Sequence, residues 1–163
     1  MEIERKFLVN TLPQDLDSYP FHQIEQAYLC TNPVVRIRRE DEDYYLTYKA
    51  SGKMVREEYN LPLNRKAYEH LLPKADGNIL TKKRYLIPIE GSSLTVELDL
   101  FEGAFSGLIL AEVEFPDEET ANQFVPPSWL GEDVTFSNQY HNSYLSKCDP
   151  GQWRQMSPSL RQI

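Results

Sequence analysis

Met1-Glu2-Ile3-Glu4-Arg5-Lys6-Phe7-Leu8-Val9 (MEIERKFLV) is the stretch on which the reading of the whole chain turns. Glu2, Glu4 and Lys6 alternate with Ile3 and Phe7. In a β-strand, whose side chains point to opposite faces in turn, those three charges share one side. Two carboxylates on one strand face repel each other unless a cation lies between them. Taken alone, the stretch fits a half-buried strand with one wet face, so its meaning depends on whether other strands repeat the pattern.

Working outward, several segments do repeat it. Val34–Glu40 sets Arg36 and Arg38 against Val35 and Ile37, and Tyr44–Ala50 sets Tyr45, Thr47 and Lys49 against Tyr44, Leu46 and Tyr48. Val55–Pro62 carries Arg56, Glu58 and Asn60 on one side, and Ile79–Ile89 carries Lys82 and Arg84. Leu94–Phe101 alternates Thr95, Glu97 and Asp99 with Leu94, Val96, Leu98 and Leu100, and Leu108–Phe115 sets Glu112 and Glu114 apart from Ala111, Val113 and Phe115. Gln23–Cys30 is a further strand, with Gln26 and Tyr28 on one face. The period changes at Leu63–Leu72, a helix with Asn64 as its cap, and again near Asp117–Phe124, whose leading acids suit a helix N-terminus. Asn10–Pro20 and the Pro-rich Val125–Trp129 read as loop, and Asn138–Lys147 as a short closing helix.

A chain of 163 residues with 40% hydrophobic side chains suits one domain with a substantial core. That domain is expected over residues 1–148, with 149–163 a poorly ordered tail. The net charge of −8 excludes nucleic-acid binding through bulk positive charge, yet 17 Lys and Arg remain to be concentrated in one place. Cys30 and Cys148 have no metal-ligand spacing, and no 18-residue apolar run is present, so a cytoplasmic protein without membrane contact is expected.

Collected by parity, one face of the strands carries seven basic and seven acidic side chains, while the alternate positions are mostly aliphatic or aromatic. A solvated sheet face is one reading, although such a face normally mixes in Ser, Thr and Gln. The other is an antiparallel barrel that encloses the charged face as a hydrated tunnel and leaves an apolar outside to be covered by helices. Basic residues from opposite walls would then converge on a polyanion, and carboxylates at i and i+2 would hold a hard divalent cation.

The opening Glu2-Ile3-Glu4-Arg5-Lys6, followed in order by Arg36/Arg38, Lys49, Arg56/Glu58, Lys82/Arg84, Glu97/Asp99 and Glu112/Glu114, resembles the CYTH superfamily of triphosphate tunnel metalloenzymes, especially its short bacterial members. The resemblance implies a mainly β, α+β fold: an eight-stranded antiparallel closed β-barrel with a few flanking helices. It also implies metal-dependent hydrolysis of a triphosphate, first of all inorganic tripolyphosphate, with two Mg²⁺ or Mn²⁺ ions. By the same resemblance Glu2, Glu4, Glu58, Asp99, Glu112 and Glu114 are metal ligands, with Glu58 placing a water. Lys6, Arg36, Arg38, Lys49, Arg56, Lys82 and Arg84 bind phosphate, and Lys6 and Tyr28 form a pair that favours tripolyphosphate. Ala27 where relatives often have Gly, and Asn60 where some have Glu, are departures. Nucleoside or thiamine triphosphate hydrolysis, class IV adenylate cyclase activity and non-catalytic polyphosphate binding are the competing functions. A homodimer is the expected assembly, and His22, His70 and His141 are assigned no chemistry.

Overall fold

Residues 1–156 are described in the computed structural model. Ten strands form one antiparallel sheet: β1 Glu2–Val9, β2 Phe21–Thr31, β3 Val34–Glu40, β4 Asp43–Lys49, β5 Val55–Arg56, β6 Glu58–Leu63, β7 Asp76–Pro88, β8 Thr95–Phe101, β9 Ile109–Glu114 and β10 Leu130–Asp133. The order is β10-β1-β9-β8-β7-β2-β3-β4-β6, with β5 off this path and paired to β1. Four α-helices accompany them: α1 Arg65–Leu71, α2 Glu118–Gln123, α3 Asn142–Leu145 and α4 Pro150–Met156.

Ten strands stand where eight were expected, nine of them on the main path, for two reasons. The segment read as one strand over Val55–Pro62 breaks at Glu57, so that β5 joins β1 while β6 joins β4. This break nearly closes the barrel, through Glu2↔Arg56 and Ile3↔Val55. The second reason is β10, which emerges from a stretch read as loop and pairs with the far end of β1, at Phe7↔Asp133 and Val9↔Leu130. With β5 and β6 counted as one wall and β10 as a flap outside it, eight strands surround the interior.

Local chemistry explains most of the boundaries. Asn64 caps α1 by accepting from the Ala67 amide at 2.8 Å, and Asp117 caps α2 by accepting from the Thr120 amide at 2.6 Å. Between β3 and β4 the chain turns through Asp41 at φ 54°, a left-handed conformation that Asp tolerates.

Two apolar layers cover the outside of the sheet. Phe7, Val96, Leu98, Ala111 and Val113 pack beneath α2 and the 124–130 segment, and Ala27 and Ile37 pack beneath Tyr68 of α1. Arg5, the outward charge of the opening stretch, fastens this cover: it pairs with Asp133 at 2.8 Å and donates to the carbonyls of Ala121 and Phe124.

A third cluster lies inside. Leu8, Leu80, Phe101 and Leu110 each stand two residues from a charged inward position and keep its parity, and they pack with Leu145 of α3 and Trp153 of α4. The charged lumen therefore ends on an apolar floor. Trp153 meets Phe105 edge-on at 5.2 Å, so the first half of the expected loose tail is a docked helix; residues 157–163 lie outside the described part. Among the described residues no helix is long and apolar enough to cross a membrane.

Candidate active site

Strand register brings the predicted charges together. Glu4 faces Glu114 and Lys6 faces Glu112 between β1 and β9, Glu97 faces Glu112 between β8 and β9, and Lys49 faces Glu58 between β4 and β6. A cavity of about 200 Å³ runs among these side chains, lined also by Tyr28, Arg36, Arg38, Arg56, Lys82 and Arg84. The single-face parity of the strands is thus a shared lumen.

Within the lumen, the cations divide into engaged and free groups. Lys49 is held between Glu2 at 2.9 Å and Glu58 at 3.1 Å. Arg84 makes a two-pronged pair with Asp99, at 2.8 and 2.9 Å, and reaches Glu97 at 3.0 Å. Lys82 pairs with Asp99 at 2.8 Å and lies over the Phe101 ring, and burial against the floor pulls its pKa down to about 7. Arg38 is held by a neutral amide, Gln26, whose Oε1 accepts from both Nε and Nη2. Burial, with Arg36 and Arg84 nearby, lowers the Arg38 pKa to about 10.

Arg36 differs from all of these. It is 7% exposed, lines the cavity, and has no ion pair or hydrogen bond among the described residues; its buried Nε lacks any partner. The buried Nε of Arg56 also lacks a hydrogen bond, although Glu2 stands 3.8 Å away. A buried guanidinium without an acceptor carries a desolvation cost that a bound anion would offset.

The acids divide in the same way. Glu112 is held well below the usual carboxylate range: burial opposes this, and the charges of Lys6 and Arg84, at 3.4 and 3.6 Å, outweigh it. For Glu58 burial is likewise outweighed, by a hydrogen bond from Glu2 and by Lys49, and its pKa falls to about 2. Glu4 has no ion pair or hydrogen bond among the described residues, and burial followed by repulsion from Glu112 raises its pKa well above normal. Glu114, directly opposite Glu4, is likewise unpaired, and burial with Glu97 and Glu58 raises it. Unpaired carboxylates opposite each other, with pKa values pushed up, are a donor set suited to a hard divalent cation. Among the described residues no group of three or more His, Cys, Asp or Glu side chains is arranged to hold a metal ion, so this carboxylate pair would need further oxygens from water or a ligand to hold one.

Several expected roles are not matched by position. Asp99 has the right parity but is 1% exposed and does not line the cavity; both of its oxygens are taken by Arg84 and Lys82. In this structure it anchors two cations. Lys6 and Tyr28 line the same cavity, but no hydrogen bond joins them: the Lys6 ammonium donates to the Tyr140 carbonyl at 3.0 Å.

The strand pattern also missed one wall. His141, Asn142 and Ser143, from the segment between β10 and α4, line the cavity. His141 Nε2 lies 2.9 Å from the Thr135 carbonyl, and burial next to Lys6 lowers its pKa to about 4, leaving it neutral. Only the reading of 138–147 as a closing element hinted at this; the residues have no strand parity to reveal them.

The class of protein is a near-closed antiparallel barrel with a charged lumen, in which, among the described residues, acids without cations stand beside a cation without an acid, an arrangement suited to a polyanion. The chain belongs to the CYTH family, whose domain matches residues 1–149. It is 39% identical to the inorganic triphosphatase of Nitrosomonas europaea over 91% of this chain and 99% of that protein. It is 33% identical to the inorganic triphosphatase of Acetivibrio thermocellus, over 90% and 93% of the two chains. The crystal structure of the inorganic triphosphatase NE1496 superposes with a TM-score of 0.69 at 36% identity, covering 93% of this chain and 97% of that one.

Proposed function

We propose that the protein hydrolyses inorganic tripolyphosphate to diphosphate and phosphate in its barrel lumen, with a divalent cation. The observation that carries this reading is Arg36, a buried guanidinium lining the lumen without a counter-ion among the described residues. An elongated polyanion supplies what Arg36 lacks, and the two relatives of similar length are both named inorganic triphosphatases. Glu4 and Glu114 fit the cation, with Glu2 and Glu58 next to them on the same side of the lumen. A divalent cation supplies charge neutralisation of phosphate oxygens and a lowered pKa for water. We assign Mg²⁺ or Mn²⁺ in two positions, a cytoplasmic setting and a homodimer to the same proposal.

The side chains do the rest. Arg36 and Arg38 bind the non-bridging oxygens and neutralise the charge that spreads over the transferring phosphoryl group. Water adds to the terminal phosphorus as its bond to the bridging oxygen breaks, and diphosphate departs. Glu58, ionised with a pKa of about 2, is too weak a base to keep the water's proton, and it orients that water by accepting a hydrogen bond. Lys6 and Tyr28 line the lumen as phosphate contacts, and the water's proton passes to a non-bridging oxygen of the attacked phosphorus and leaves with the released phosphate.

Phosphate release from tripolyphosphate, diphosphate, ATP and thiamine triphosphate, each with Mg²⁺ or Mn²⁺ and with chelator, tests the reading. Tripolyphosphate should be preferred by about 10-fold or more in kcat/KM, and chelator should abolish release. Cyclic AMP from ATP, or no phosphate from any triphosphate, would reject it.

A further inference from the structure

Asn142 sits at the start of α3 in the segment that closes the barrel, and its side chain borders the lumen. Its Oδ1 accepts from Lys82 Nζ at 3.2 Å and from Gln26 Nε2 at 3.0 Å. The orientation of both amides follows from the cations. A guanidinium has no acceptor, so Gln26, which is fully buried, must turn Oε1 toward Arg38, where it accepts at 3.0 and 2.6 Å. Its amino group then faces Asn142, and Asn142 must answer with its oxygen. What remains is the Asn142 amino group, which has no acceptor among the described residues and stands in the lumen wall beside Lys82.

We infer that Asn142 is a substrate-binding residue: its Nδ2 donates to a phosphate oxygen while its Oδ1 holds Lys82 in place. This rests on the reading of the lumen as a triphosphate site. The chemistry argues for phosphate in particular. An amide in this position adds a hydrogen bond without adding charge, in a wall where further cations would repel Arg36 and Arg38. A purely structural acceptor for Lys82 and Gln26 has no use for a spare donor. The closing segment is also held independently of the lumen. Asn78 of β7 donates to the carbonyls of Leu145 and Cys148 at 2.9 and 2.7 Å, so Asn142 can be altered without releasing α3.

Asn142→Asp and Asn142→Ala, measured beside the unaltered protein, test the assignment. Asn142→Asp keeps an acceptor for Lys82 and Gln26 but exchanges the donor for an anionic oxygen. Its KM for tripolyphosphate should rise about 10-fold or more, with kcat changed much less and the melting temperature kept. Asn142→Ala should raise KM by a smaller factor. A structural role predicts the reverse, a lower melting temperature at unchanged KM, and that result in both variants would overturn the assignment. Tripolyphosphate binding by calorimetry separates the two readings. If the unaltered protein binds tripolyphosphate without hydrolysing it, hydrolysis fails as the function, and a weakened Kd in Asn142→Asp still supports the contact. An unchanged Kd in that variant overturns it.

Discussion

Arg36 pays for its place in the lumen in folding free energy, since no acid among the described residues pairs with it. Arg36→Met should therefore raise stability by about 1–2 kcal/mol in urea denaturation while lowering kcat/KM for tripolyphosphate by about 100-fold. A variant that loses stability as well would show that Arg36 has a structural partner after all. His141 gives a second single-residue test, this time in pH. Its pKa is lowered to about 4 by burial and by Lys6, from an ordinary 6.5. The unfolded chain thus binds a proton that the folded protein refuses, and stability falls as pH drops from about 6.5 toward 4. With allowance for solvent screening of a partly exposed group, the loss is on the order of 1–2 kcal/mol. Thermal melts of His141→Gln across that range should be flatter than those of the unaltered protein.

At the level of elements, the segment that closes the barrel depends on a tight passage at the start of β7. Gly77 has φ +74°, and a Cβ on it would collide with the Ser146 carbonyl oxygen, while the neighbouring Asn78 amide donates to that same oxygen at 2.6 Å. Gly77→Ala should cost about 2–4 kcal/mol in chemical denaturation and loosen the 138–148 segment, which amide hydrogen exchange would register there first. The parity of β1, β3, β4, β7, β8 and β9 was legible in the sequence because a period of two assigns every residue to a face. Parity does not give depth along the lumen. Asp99 and Glu112 share a face, yet Asp99 lies toward the floor formed by Phe101 and Leu110 and is consumed by Arg84 and Lys82. The break at Glu57 and the addition of β10 were invisible for another reason: both depend on which strand edge is left unpaired in three dimensions. His141 and Asn142 reach the lumen from a non-repeating turn, where no period exists to read. Trp153 was hidden in a tail with no period to read, and it packs with Leu80, Phe101 and Phe105, which lie far from it in the chain.

For the molecule as a whole, the lumen sets acids that lack a cation beside a cation that lacks an acid. Divalent cation and tripolyphosphate together should therefore raise the melting temperature more than the sum of either alone. At 100-fold excess over Kd the gain is about 2.7 kcal/mol, readable by scanning fluorimetry. Equal and independent shifts would argue that metal and anion occupy unrelated sites. The way the barrel closes has a mechanical consequence. Its circumference is completed only where β5 meets β1, by Glu2↔Arg56, Ile3↔Val55 and the Glu4 amide donating to the Met54 carbonyl at 3.0 Å. Everywhere else the wall is a long ladder, so this seam is where the cylinder can unzip into an open sheet. The strand carrying Glu2 and Glu4 is one lip of that seam, and Arg56 and Glu58 flank the other. A ligand gripped by both lips works as a rivet, and the same act that fills the lumen fixes the hoop around it.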